Sequence, residues 1–94
     1  MRVEYSKRAV ADLQQVVAFY RRSGNPAAAE HITVRVQELV ARLAGFPLSG
    51  RAVAQRPGVR VVLLPRYRYK IFYRIIGDAI RIVHIRHTSR RPYD

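Results

Sequence analysis

Apolar residues recur at helical spacing through the first half of the chain and at strand spacing through the second. Arg2 to Tyr5 is a short stretch of mixed polarity that predicts an edge strand. Ser6 follows, a residue type whose hydroxyl accepts a first-turn N–H and opens a helix. Val10, Leu13, Val17 and Tyr20 then recur with a helical period, with Val16 widening the stripe, and predict an amphipathic helix with that stripe inward. Ser23-Gly24-Asn25-Pro26 closes this helix and opens another. Glycine suits a left-handed C-terminal position, asparagine a cap and proline the first helical turn. Ala29, Ile32, Val36, Leu39, Val40 and Leu43 share one face of the second helix, which Gly45 and Pro47 end. The two helices read as an antiparallel hairpin.

Residues 47–58 carry the breakers Pro47, Gly50, Pro57 and Gly58 and read as a loop. Three strands follow: Val59 to Leu64, Tyr67 to Ile76, and Ala79 to His87. Gly77-Asp78 fits a two-residue hairpin turn with glycine first. The predicted order is β-α-α-β-β-β, an α+β fold in which a helical hairpin packs on a small antiparallel sheet, and residues 1–94 form a single domain.

The hairpin turn sorts the last two strands by face, because side chains alternate. Ile76 is expected opposite Ala79, Arg74 opposite Arg81, Phe72 opposite Val83, Lys70 opposite Ile85, and Arg68 opposite His87. One face then holds Arg68, Lys70, Phe72, Arg74, Arg81, Val83, Ile85 and His87. The other holds Tyr69, Ile71, Tyr73, Ile75, Ile80, Ile82, His84 and Arg86, is more apolar, and is expected under the helices. Like charges placed opposite each other weaken a sheet, so a chain that keeps Arg74 across from Arg81 points to an anion that satisfies them. The alternative for any single arginine is a solvated side chain whose stem covers apolar surface.

Composition sharpens this picture. Eighteen Lys and Arg against six Asp and Glu give a net charge of +12. Residues 1–50 carry seven basic and four acidic side chains, residues 51–94 eleven basic and two acidic. Such an excess implies a polyanionic partner, nucleic acid or an acidic protein. The absence of cysteine excludes a disulfide framework and a thiolate zinc site. The three histidines have no near-sequence carboxylate partners, so no metal and no cofactor is expected. No apolar run reaches the ~20 residues of a membrane span, and no apolar h-region follows Met1. A cytoplasmic location is therefore expected. His31 reads as structural or exposed, and His84 as a hydrogen-bonded core residue. His87 reads as a strand-end residue or a general acid or base. Tyr93 in the tail either stacks on a base or packs at the chain end.

Together these segments resemble RelE/ParE toxins. The resemblance is carried by Arg60, Tyr69-Lys70-Ile71-Phe72-Tyr73-Arg74-Ile75, Asp78 through His87, and Arg90-Arg91. Ala9-Val10-Ala11-Asp12-Leu13, Pro26 with Ala27 to Ala29, and Phe46 through Arg51 agree with the family's helices. It implies the toxin of a type II toxin–antitoxin module, with growth inhibition and plasmid stabilisation. A cognate acidic antitoxin is the implied partner in a hetero-oligomer, with no membrane involved. ParE-type members inhibit DNA gyrase, and the helical hairpin with the His87–Arg90-Arg91 ending resembles that branch. RelE-type members are metal-independent endoribonucleases that cut mRNA on the ribosome. By position, Lys70, Arg90, Tyr93 and His87 resemble that catalytic set, but the preceding loop offers Arg51 and Arg56 where those enzymes carry lysines. In either case Arg60, Arg68, Lys70, Arg74, Arg81, Arg86, Arg90 and Arg91 are expected to bind the target or an anion. A non-toxic RNA- or protein-binding module on the same fold is the third expectation.

Overall fold

In a computed structural model that describes residues 1–88, the chain runs β1 (Arg2–Tyr5), α1 (Lys7–Arg22), α2 (Pro26–Gly45), β2 (Arg51–Ala52), β3 (Val59–Leu64), β4 (Tyr69–Ile76) and β5 (Ala79–His87). Both helices start at the expected caps. Ser6 Oγ accepts the Ala9 N–H at 3.0 Å and Asn25 Oδ1 accepts the Ala28 N–H at 3.1 Å. Each such cap contributes about 1 kcal/mol.

The strands form one sheet in the order β1-β5-β4-β3-β2, with both helices on one face. Several features of the sheet depart from the sequence reading. β1 pairs parallel to β5, so the sheet is not wholly antiparallel. Its register is held at both ends, where Arg2 N–H bonds the Asp78 carbonyl and Ser6 N–H bonds the Ile82 carbonyl, each at 2.9 Å. The 47–58 loop also contributes the two-residue β2 against β3. β4 begins at Tyr69 rather than Tyr67, because Arg66 and Arg68 adopt φ of 79° and 56°, a left-handed turn conformation that a ladder does not accept.

The main core lies between the helices and the sheet. Ile32, Val36, Val40 and Leu43 of α2 meet Ile71, Tyr73, Ile80, Ile82 and Ile85 of the two central strands. Burying such a side chain fully is worth about 1.5–3 kcal/mol. α1 turns inward only part of the expected stripe: Val16 is buried and Leu13 and Tyr20 pack against the core, but the helix is rotated toward Ala9 and Asp12. Ala9, Asp12 and Val16 are buried, whereas Val10 is 43% exposed. Leu13 and Val17 are half-buried along a shallow apolar groove beside Thr33 and Gln37 of α2. The physical reason is Asp12, whose polar partners lie on β5 and fix the rotation of the helix.

The hairpin is built as expected at its turn. Gly77 has φ of 57°, which suits the first central position of a two-residue hairpin turn. Ile76 faces Ala79 and Arg74 faces Arg81. Beyond Tyr73↔Ile82 the register changes, and the next pair is Phe72↔His84. Val83 is thus an extra residue on β5, a β-bulge, and its carbonyl accepts a hydrogen bond from Ser6 Oγ at 3.1 Å. The bulge moves every later β5 side chain to the other face. Ile71 therefore faces Ile85, Lys70 faces Arg86, and Tyr69 faces His87, in place of the expected Phe72–Val83, Lys70–Ile85 and Arg68–His87 pairs.

A second fixed point lies where α2 leaves the sheet. The Tyr73 hydroxyl, on a fully buried ring, accepts the Gly50 N–H at 2.9 Å and donates to the Pro47 carbonyl at 2.7 Å. A Cβ at position 50 would overlap the Tyr73 ring, so glycine is required there. Tyr73→Phe is expected to leave both loop groups without this partner and to lower stability by about 1–3 kcal/mol. Urea unfolding of the two proteins measures this difference.

Candidate anion-binding face

The sheet face away from the helices gathers the cations. Its centre is a small apolar cluster of Val59, Val61 and Phe72, joined by the half-buried Val53 and Val83. Val53 is held over it by the Val53 N–H bond to the Val59 carbonyl at 2.9 Å. Phe72 is thereby covered at 3% exposure and is not displayed for stacking. The cations flank this cluster as two cross-strand pairs, Arg74 with Arg81 toward the hairpin turn and Lys70 with Arg86 toward the opposite end. The second pair exists only because of the bulge. Without it Arg86 would lie on the helix side, and Lys70 would face an isoleucine.

Directly opposed like charges weaken a sheet by tenths of a kcal/mol. Their compensation among the described residues is slight. Arg81 approaches Glu4 at 3.9 Å, and Arg74 reaches the Pro57 carbonyl at 3.4 Å. Glu4 is itself bound more closely by Arg2 at 3.0 Å, which also holds Asp78 at 3.0 Å. Local carboxylates are thus engaged elsewhere, and the face keeps a net positive field that suits a polyanion or an acidic protein.

The other expected binding residues lie in different places. Arg60 is on the helix-covered side of β3, opposite Tyr73. Its guanidinium bonds the Gly50 carbonyl at 2.7 Å and the Leu48 carbonyl at 3.5 Å, which makes it a brace for the loop. Arg68 sits in the β3–β4 turn with an exposed side chain, and its carbonyl accepts the Thr88 N–H at 2.7 Å. His87 lies on the helix-covered face with its ring edge-on to Tyr69, at a centroid distance of 5.1 Å. It lines a cleft of about 850 Å³ between α1 and the open edge of β5, together with Arg8, Phe19, Arg22 and Arg86. Lys70 and His87 therefore do not share a face. Arg90, Arg91 and Tyr93 lie outside the described residues. His31, exposed on α2, meets the Tyr67 hydroxyl.

Sequence reasoning passed over the group that organises this end of the sheet, Asp12. Its Oδ2 accepts the Ile85 N–H at 2.9 Å and is hydrogen-bonded to His84 Nδ1, while Oδ1 accepts from Arg8 Nε at 3.1 Å. A signal was present in the sequence. Asp12 stands between Ala9 and Val16 at helical spacing, an acid on a line of small and apolar residues. His84 is buried and hydrogen-bonded as expected, but the bulge turns it toward Phe72, on whose ring it stacks at 6.1 Å.

Burial pushes the His84 imidazole below the usual histidine value of 6.5, although Asp12 pulls it upward. The unfolded chain consequently takes up a proton that the folded chain resists. The contribution of this group is intact above 6.5 and is lost as pH falls from there through the folded-state value. His84→Asn, which retains a donor for Asp12, is expected to be the less stable protein near neutrality but to lose less stability between about pH 7 and 5. Denaturation midpoints measured across that range check the difference in slope.

Comparison with known proteins places these features in context. The pattern of the ParE toxin of the type II toxin–antitoxin system parDE matches residues 3–92. No curated protein sequence matches significantly. Among solved structures, the chromosomal ParDE system from P. aeruginosa aligns at 26% identity over 95% of this chain and 97% of that one, with a TM-score of 0.83. The E. coli RelBE toxin–antitoxin complex aligns at 12% identity over 95% and 98% of the two chains, with a TM-score of 0.62. A YoeB/ParE toxin from Agrobacterium tumefaciens aligns at 13% identity over 93% and 98%, with a TM-score of 0.67. The last two are likenesses of fold.

Proposed function

Because the chain belongs to the ParE family, the toxins of type II toxin–antitoxin systems, we propose that it arrests growth by inhibiting DNA gyrase and that a cognate acidic antitoxin neutralises it. The observation that carries this reading is the ParE pattern over residues 3–92. The geometry supports it in one further respect. Lys70 and His87, two members of the RelE-like catalytic set, stand on opposite faces of the sheet, which does not favour joint proton transfer at one phosphate. Electrostatic docking needs only the field of the Lys70–Arg86 and Arg74–Arg81 pairs.

The antitoxin is proposed to bind as a hetero-oligomeric partner at two surfaces. The groove of Val10, Leu13 and Val17 fits the apolar stripe of an amphipathic helix, and the cationic face fits acidic residues. Among the described residues no helix is long and apolar enough to cross a membrane, and both proposed partners place the action in the cytoplasm. Messenger RNA cleavage on the ribosome, as in RelE-type toxins, is the second reading, favoured by the cluster of cations around Lys70 on one open face.

Purified protein added to a gyrase supercoiling assay tests the proposal. Loss of supercoiling or a trapped cleavage complex is expected, and the double variant Lys70→Glu/Arg86→Glu is expected to need on the order of tenfold more protein for the same effect. Unaffected supercoiling, with cut mRNA on toxin-loaded ribosomes in a parallel reaction, would instead establish the second reading.

A further inference from the structure

Among the described residues, the three most exposed large apolar side chains are Leu48 at 67%, Phe46 at 66% and Leu63 at 62%. Two of them stand on one tight turn. Phe46 closes α2, its N–H bonding the Arg42 and Leu43 carbonyls at 3.0 and 3.2 Å. The Phe46 carbonyl then accepts the Ser49 N–H at 3.0 Å, which makes residues 46–49 a β-turn with Pro47 at its second position. Below the turn, the Tyr73 hydroxyl binds the Pro47 carbonyl and the Gly50 N–H, and Arg60 binds the Leu48 and Gly50 carbonyls. The backbone is therefore fastened inward by a buried tyrosine and a half-buried arginine, while both apolar side chains point out. A loop anchored this firmly ordinarily buries its own hydrophobic residues; this one displays them. The Met1 ammonium lies 3.4 Å from the Ala44 carbonyl, so the N-terminus adjoins the end of α2.

The surroundings specify the occupant. The charged residues nearest the turn along the chain are cationic on both sides. Arg42 lies one helical turn before Phe46, and Arg51 follows directly after Gly50. We propose that the Phe46–Gly50 turn is a preorganised knuckle that seats Phe46 and Leu48 in an apolar pocket, rimmed by carboxylates, on the protein target. This rests on the reading of gyrase as that target and assigns the target a contact separate from the cationic sheet face. An aromatic side chain on a backbone that is already fixed, with less ordering entropy left to lose, is the kind of group that dominates an interface.

Gyrase itself is the test ligand. Phe46→Ser/Leu48→Ser is compared with wild type and with Val34→Ser, a polarising change at another exposed apolar residue, on α2. The double variant is expected to raise the concentration for half-inhibition of supercoiling, and the Kd for gyrase, on the order of tenfold or more, with Val34→Ser matching wild type. Both changed side chains are exposed, so the thermal midpoint is expected to hold, and circular dichroism verifies the fold. If that variant does not fold, Leu48→Ser alone is read by the same criteria. Equal potency of wild type and variant would overturn the knuckle while leaving the gyrase reading standing. A wild-type protein that neither binds nor inhibits gyrase would overturn both. Light scattering that finds a wild-type dimer and a monomeric variant would assign the patch to self-association and overturn the target contact.

Discussion

The arrangement of this protein depends on one carboxylate meeting one strand edge. β1 covers β5 only as far as Ile82. Beyond that point β5 would present buried backbone groups with no ladder partner, and an unsatisfied N–H costs about 1–3 kcal/mol. The chain resolves this with α1. Ser6 takes the last strand-like bond to the Ile82 carbonyl and also reaches the Val83 carbonyl, and one turn into the helix Asp12 accepts the Ile85 N–H. The same carboxylate holds His84 and Arg8. A single acidic residue thus sets the rotation of α1, seals the open edge of β5 and anchors the histidine beside the bulge.

The bulge converts that local solution into a surface. The extra residue at Val83 keeps Ile85 in the core and delivers Arg86 to the open face opposite Lys70. With Arg74 and Arg81 it gives two like-charged pairs around a covered apolar centre. Such pairs lower the stability of the isolated chain slightly and are retained where a partner supplies the opposite charge. In a toxin that is stored with an antitoxin, the same field serves both the proposed target and the proposed inhibitor.

The end of the molecule at the close of α2 follows a different logic. There Tyr73 and Arg60, both residues of the sheet, spend their polar groups on a loop. Arg60 looks in sequence like one more member of a basic surface; in the fold it braces the turn that presents Phe46 and Leu48. Basic charge in the second half of the chain is therefore divided between an open sheet face and an internal scaffold, and only the partners of each guanidinium distinguish the two.

Much of the architecture was legible from local rules. The caps at Ser6 and Asn25, the extent of both helices, the α2 core stripe and the Gly77 turn each depend on near neighbours, whose chemistry a sequence displays directly. The excess of cations after residue 50 and the resemblance to RelE/ParE toxins were equally readable, and the family follows from them. What the sequence left open depends on contacts between distant segments. A bulge has no local signature here, since Val83 and His84 are ordinary strand residues, and whether the register slips is decided by α1, more than 70 residues earlier, where Asp12 waits for Ile85. The exposure of Val10 and the burial of Asp12 on α1 have the same origin: Val16, Leu13 and Tyr20 of the expected stripe still meet the core, but a polar contact to β5 rotates the helix toward Asp12. Local periodicity fixes which elements form. Which side chains share a face is fixed by hydrogen bonds across the fold, because a shift of one residue in a strand exchanges its two faces.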